Sequence, residues 1–223
     1  MADFFASRFG AKLYARYFRK AKADKKKMRR GRLEAFSDGV LAIVITIMVL
    51  EMKVPEGGDW AALGALWPVF LSYVLSFVYV GIYWNNHHHL IAAVDRVNAS
   101  IMWANLHLLF WLTLVPFVTG WMGENEFAAT PTTLYGVVLI MAAFSYFILQ
   151  GRILASHPSD SALRHAFGRD LKGKLSLVLN VVGIVAAQFA PMVAFGIYGL
   201  VAIIWIIPDR RIERALREAG HHE

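Results

Sequence analysis

Residues 32–50 begin Arg32-Leu33-Glu34-Ala35-Phe36-Ser37-Asp38-Gly39 and continue from Val40 to Leu50 as an almost wholly aliphatic run broken only by Thr46. A polar head feeding directly into hydrocarbon side chains is the pattern of a helix entering a bilayer, which takes about 20 mainly apolar residues to cross. The stretch 36–52 is the first of five such segments, followed by 60–84, 101–121, 132–150 and 175–207. The last is too long for one ordinary span. Phe189-Ala190-Pro191 near its middle breaks it, because proline lacks an amide donor and constrains the residue before it. The run is therefore expected to form a tight hairpin of two short helices, which makes six spans.

Composition supports the same class. The chain is 57% hydrophobic and 17% charged over 223 residues, where soluble chains carry about 25% charged residues. That hydrophobicity excludes disorder. The absence of cysteine excludes a disulfide scaffold, a Cys-ligated zinc site and a thiolate catalyst. No nucleotide-binding glycine loop or G-x-S-x-G nucleophile motif is present. The expectation is an all-α integral membrane protein with six transmembrane helices per subunit and both termini cytoplasmic.

Charge placement tests that count. Of 23 Lys and Arg, 12 lie in residues 1–32, five in 152–174, four in 210–217, and one is Arg96. All of these fall on one side of a six-span arrangement, and only Lys53 lies near the other. Cytoplasmic loops are rich in Lys and Arg, whereas a five-span arrangement would put the arginines of the tail outside. Trp60, Trp67, Trp84, Trp121 and Trp205 fall near the expected span ends, as interfacial aromatics do. The net charge of +7 is thus orientation charge rather than a sign of nucleic-acid binding. In the basic arm, residues 1–31, Phe5, Phe9, Leu13 and Tyr17 recur at helical spacing among Arg8, Lys12, Arg16 and Arg19. Either an amphipathic helix on the anionic inner leaflet or a frayed arm fits this pattern. The six-helix transmembrane part is expected over 32–208 and a cytoplasmic tail over 209–223.

At roughly 100° per residue, Arg32, Phe36, Gly39, Ile43, Thr46, Ile47 and Leu50 share one stripe of the first helix, and Asp38 points roughly 140° away from Ile43. An aspartate at the start of a membrane helix is costly and should face protein or water with a partner. Taken alone, Asp38 reads as a salt bridge or cap, and Ile43 and Leu50 as packing.

The run Arg32-Leu33-Glu34-Ala35-Phe36-Ser37-Asp38 matches the Arg-x-x-x-Phe-Ser-Asp signature of the first helix of the transmembrane protein 175 family of potassium channels. The chain resembles the prokaryotic branch, which has one six-helix unit per subunit. Trp84-Asn85-Asn86-His87-His88 is similar to the family's Trp and paired-His stretch after the second span. Beyond about residue 90 the resemblance lies in the helix count alone. It implies a homotetramer in a bacterial cell membrane, its first helices lining a central pore permeable to potassium ions, with no cofactor. It also implies an aliphatic constriction at Ile43, then Thr46 or Ile47, then Leu50. Arg32, Phe36, Ser37 and Asp38, with His87 or His88, would hold the first helix in a polar network. The ring would act as a hydrophobic gate by excluding water. On widening it would favour potassium modestly, since potassium releases water more readily than sodium, and Thr46 hydroxyls could replace lost water.

Other features carry rival readings. His87, His88 and His89, with His107, invite a metal or haem membrane enzyme, but adjacent helical residues point about 100° apart, so three in a row cannot share one ion. Proton sensing or a structural hydrogen bond suits them better. A secondary transporter would use Asp38 as a coupling-ion ligand, yet transporters show internal repeats and helices broken at the midplane, and the visible break, at Pro191, lies near an outer surface. Gly196-Ile197-Tyr198-Gly199 superficially resembles a potassium filter but lacks the preceding Thr-Val, and it reads as close packing by small residues. Glu124 and Glu126 could gather cations at the outer mouth or belong to a solvated loop.

Overall fold

The computed structural model describes residues 30–94, 96–156 and 171–206. The basic arm up to residue 29 and the tail over 209–223 lie outside these described residues. The described residues are all helical between their turns, with no strand among them. In chain order the helices are α1 (Arg30–Leu50), α2 (Trp60–Gly64), α3 (Trp67–Ala92), α4 (Ala99–Thr113), α5 (Val115–Glu124), α6 (Ala129–Leu154), α7 (Leu171–Ala187) and α8 (Pro191–Ile206). Four segments are long and apolar enough to cross a membrane: α1, α3, α4 with α5, and α6.

Prolines redraw two of the expected spans. The stretch 60–84 is not one helix. Asp59 caps a single short helix, accepting from the Ala62 amide at 2.8 Å, and the chain restarts as α3 where Pro68 occupies the first turn. Proline is favoured there because an amide at that position would have no helical partner. α3 then runs on to Ala92, so Trp84 to His89 lie inside a helix rather than after it. Trp84 consequently sits well within α3 instead of at its end. The stretch 101–121 starts earlier, at the Asn98 cap, whose Oδ1 accepts from the Ile101 amide at 2.9 Å. It is interrupted at Leu114, because Pro116 cannot donate to the carbonyl one turn back and its ring crowds that carbonyl. The run 175–207 does divide, α7 ending at Ala187 and α8 starting at Pro191.

α7 and α8 pack as an antiparallel hairpin. Trp205 Nε1 donates to Ser176 Oγ at 2.8 Å, and Tyr198 lies against Gly183, seven residues nearer the turn on each helix. At the same end of the bundle as this hairpin's turn, Glu126 and Phe127 take left-handed φ values of 48° and 60° to turn α5 into α6. Such backbone costs roughly 1–2 kcal/mol per residue. Burial offsets it, for the Phe127 ring packs between Trp67 and Phe195 at centroid distances of 5.7 and 4.7 Å.

The interior is tied by hydroxyls as well as hydrocarbon. Ser76 Oγ lies 2.6 Å from Thr119 Oγ1 and 3.0 Å from Tyr135 Oη, and Tyr79 Oη donates to the Tyr198 carbonyl at 2.7 Å. These bonds join α3 to α5, α6 and α8. Interhelical bonds in membranes contribute about 0.6–2 kcal/mol each. Tyr198 is fully buried between Gly136 and Gly183. The glycines of Gly196-Ile197-Tyr198-Gly199 do not supply the close packing expected of them: a Cβ on Gly196 or Gly199 would meet nothing within 4 Å. Tyr198 does, by filling the notches that two glycines leave on α6 and α7. A Cβ on Gly183 would come within 2.5 Å of Tyr198 Cε1. Gly183→Ala is therefore expected to destabilise the protein by about 1–3 kcal/mol, the cost of overpacking a rigid site, while Gly199→Ala is neutral. Thermal unfolding of both variants in detergent checks this.

Candidate functional site: the first helix and its brace

α1 buries one face in its own chain. Ser37, Leu41, Val44 and Met48, spaced four, three and four apart, are all buried. That spacing keeps one side of a 3.6-residue helix against the bundle. The opposite side carries Arg32, Phe36, Gly39, Ile43, Thr46, Ile47 and Leu50, and every one of them is exposed. Ile43 is 58% and Leu50 78% exposed, so neither is covered by its own chain. Of the four long segments, α1 is the least buried. Beside the stripe runs a mostly apolar groove lined by Val40, Ile43, Val44 and Ile47 on α1, Glu51 just beyond its end, Thr113 on α4, and Pro116 and Phe117 on α5. Thr46 Oγ1 donates back to the carbonyls of Ala42 and Ile43, at 3.1 and 3.0 Å. Its proton is thus engaged, and its lone pairs stay available on the exposed side.

The polar head of α1 is braced by α3 in a ladder. Glu34 and Asp38 stand one turn apart on α1, facing Trp84 and His88, one turn apart on α3. Trp84 Nε1 donates to Asp38 Oδ1 at 3.1 Å, and His88 Nδ1 lies 2.9 Å from Glu34 Oε1. The Trp84 and His88 rings stack at 6.4 Å. Asp38 thus has the partner its position demanded.

Behind the ladder runs a fully buried chain of hydrogen bonds. Ser37 Oγ donates to the Leu33 carbonyl at 2.9 Å and accepts from Asn105 Nδ2 at 2.9 Å. Asn105 Oδ1 lies 2.7 Å from His87 Nε2. Because the amide nitrogen faces Ser37, the oxygen faces His87, so Nε2 carries the hydrogen. Three helices meet in this chain: α1 through Ser37, α3 through His87 and α4 through Asn105.

Ser37, Asp38, His87 and His88 therefore come together around one patch of α1, with His87 reaching Ser37 through Asn105 and His88 meeting Glu34. Arg32 and Phe36 instead lie on the exposed stripe. It is Arg30 that reaches across to α3, donating from Nη1 to the Ala92 carbonyl at 2.9 Å. Sequence reasoning missed Asn105. Its signal was a lone carboxamide within an otherwise apolar helix, which must find a partner when buried.

The histidines diverge. His107 accepts from Trp111 Nε1 at 3.1 Å on its own helix, far in sequence from the pairings of His87 and His88. Among the described residues, no three His, Asp or Glu side chains converge as a metal site would need. At the other end of α1, Lys53 Nζ pairs with Glu124 Oε1 at 2.7 Å, and this bond raises the lysine pKa above its ordinary value. Much of the cation-gathering charge expected of Glu124 is thereby countered locally.

The family model described as endosomal/lysosomal potassium channel TMEM175 matches residues 32–116. A protein named as a potassium channel from Chryseobacterium sp. is 56% identical over 191 residues, covering 86% of this chain and all of that one. Another named as a potassium channel, from Streptomyces collinus, is 40% identical over 124 residues, covering 52% of this chain and 60% of that one. The rat protein named as an endosomal/lysosomal proton channel is 33% identical over 132 residues, 54% of this chain and 26% of its own length. Among solved structures, the crystal structure of a lysosomal potassium-selective channel TMEM175 homolog from Chamaesiphon minutus superposes with a TM-score of 0.69. It is 29% identical, with 81% of this chain and 97% of that one covered.

Proposed function

The chain belongs to the TMEM175 family of potassium channels, and from that premise we propose that four copies enclose a potassium-permeable pore lined by their α1 helices. The observation that carries this reading is the exposed aliphatic stripe of α1, set opposite the face that α1 buries in its own chain. Four such stripes meeting on an axis give stacked rings of Ile43, Ile47 and Leu50, with Thr46 between them. The groove between α1 and α5 offers the flank on which a neighbouring copy would pack, consistent with closed cyclic assembly.

A ring of isoleucines narrow enough to exclude water closes the path to ions, since an ion in a dry apolar constriction has lost its hydration and gained nothing. On widening, the pore admits an ion that keeps part of its shell. Potassium gives up water at lower cost than sodium, so the ring favours it modestly. The lone pairs of Thr46 supply oxygen where the shell is thinnest. Thr46→Ala is expected to move the potassium-to-sodium permeability ratio by roughly twofold, well under the tenfold that 1.4 kcal/mol would give. Bi-ionic reversal potentials measure this, and an unchanged value removes Thr46 from selectivity.

The brace gives α1 its orientation. The ladder from Glu34 and Asp38 to α3, with the buried chain through Ser37, fixes the rotation of α1 and so the residues it presents to the axis. Asp38 is engaged in holding an indole, which suits a structural role better than a coupling-ion site. His87 and His88 likewise have positioning partners, and conduction requires no catalytic residue.

In the bilayer we place six spans, with α7 and α8 as the fifth and sixth. At 17 and 16 residues they extend about 24–26 Å, slightly under the about 30 Å hydrocarbon thickness. The Lys and Arg distribution supports an orientation with both termini on the cytoplasmic side of a bacterial membrane, beside the anionic inner leaflet. Purified protein in liposomes tests the function: potassium efflux should exceed sodium efflux under matched gradients. Folded protein that passes neither ion would overturn the proposal.

A further inference from the structure

Where α1 runs on toward α3 and α5 toward α6, the chain places five carboxylates, Glu51, Glu56, Asp59, Glu124 and Glu126, against one lysine, Lys53. They differ in what holds them. Asp59 caps α2, while Glu56 and Glu126 stand in the loop after α1 and the turn after α5. Glu124 is countered by Lys53 at 2.7 Å. Glu51, the first residue past α1, is exposed, and among the described residues none bonds or ion-pairs with its carboxylate. Lys53 feels Glu51 more weakly than it feels Glu124.

The position of that carboxylate is set by α5. A Cβ on Gly120 would lie 3.4 Å from Glu51 Oε2, so the missing side chain gives the carboxylate a seat against α5. It also stands at the end of the groove that Ile43 and Ile47 line. Leu50, the last residue of the exposed stripe, immediately precedes it. An acid at a helix C-terminus adds to the negative end of the helix dipole, an arrangement that a nearby cation relieves. We propose that Glu51 gathers potassium at the outer mouth of the pore, the task for which Glu124 is the more obvious candidate in the sequence. The inference rests on the α1-lined pore, in which four Glu51 carboxylates stand just beyond the ring of Leu50. It acts through the field and not by holding an ion. Charge at a mouth raises the local concentration of counter-ions. Salt screens that field over about 8 Å at physiological ionic strength and about 3 Å at 1 M. Current entering from the outer side therefore depends on Glu51 in dilute salt, and current leaving does not.

Single-channel recording of the purified full-length protein carrying Glu51→Cys tests this in planar bilayers, since the chain has no cysteine of its own. In about 20 mM potassium, loss of the carboxylate should lower the unitary current entering from the outer side roughly twofold. A negatively charged methanethiosulfonate added to that chamber should restore the current, and a positively charged one should lower it further. Both effects should vanish in about 1 M salt. Current in the opposite direction should stay unchanged throughout, which a general disturbance of α1 would not allow. Glu51→Gln serves if the cysteine variant fails to assemble, with the same loss expected in dilute salt alone. A Leu50→Cys channel, treated with the positively charged reagent, separates this inference from the pore reading. Block at Leu50, with changes at Glu51 that are absent, independent of salt or equal for reagents of either sign, would overturn the role of Glu51 alone. No block at Leu50 in conducting channels would overturn the α1 pore and this role with it.

Discussion

Replacing Ile43 with asparagine is expected to raise potassium current at fixed voltage by about tenfold or more, each tenfold corresponding to about 1.4 kcal/mol removed from the barrier. Ile43 is the first aliphatic of the stripe to follow the glycine at 39, and it is 58% exposed in the single chain. Its substitution therefore disturbs little of the protomer's own core. A smaller asparagine puts a carboxamide where a branched hydrocarbon stood, so water can bridge the ring and an ion need not shed its shell to pass. Selectivity should fall as current rises, because a wet ring no longer distinguishes ions by their hydration cost. Single-channel conductance in planar bilayers measures both. Unchanged conductance with a normally assembled protein would place the constriction at another level, with Ile47 or Leu50 next to be tested.

The second large effect is on the brace. Asn105→Leu keeps the branched outline but removes two hydrogen bonds at once, leaving Ser37 and His87 without their shared partner; they are 0% and 1% exposed. Stranding buried polar groups costs about 1–3 kcal/mol each. Interhelical bonds in membranes average less, since the unfolded chain also finds partners there. A loss of roughly 1–3 kcal/mol in total is expected, read as a lower unfolding temperature in detergent. Current should fall as well, because α1 then loses one of the contacts that set its rotation. His88→Ala should cost much less, as its pairing with Glu34 is half-exposed and solvent screens it. Adding His87→Leu to Asn105→Leu should restore part of the stability, since removing both partners relieves the stranded group. Strictly additive losses in that pair would mean the hydrogen bond carries no coupling.

The sequence made the stripe of α1 legible because helical rotation is regular, and the exposure of all seven residues follows that arithmetic. Pro191 likewise announced the hairpin. Pro68 and Pro116 were just as visible, but an apolar run conceals where a proline starts a helix and where it interrupts one. Hence α2 was merged into the second span, and the turn at Leu114 went unseen. Asn105 was unreadable for a different reason. A single carboxamide in an apolar helix says that it needs a partner, not which helices bring one. The notches at Gly136 and Gly183 belong to the same class, since their meaning lies in a tyrosine on another helix. How copies meet is hardest of all to read, because the faces that touch across an axis look like ordinary exposed hydrocarbon in one chain.

The account rests on the exposed side of α1 facing the conduction path. The chain contains no cysteine, so single cysteines report without background. A charged methanethiosulfonate reagent, applied to channels carrying Ile43→Cys, Thr46→Cys, Ile47→Cys or Leu50→Cys, should block potassium current in discrete steps. Channels carrying Leu41→Cys, Val44→Cys or Met48→Cys should conduct unaltered. Block at the second set, or at none of the first in channels that conduct, would contradict a pore lined by α1.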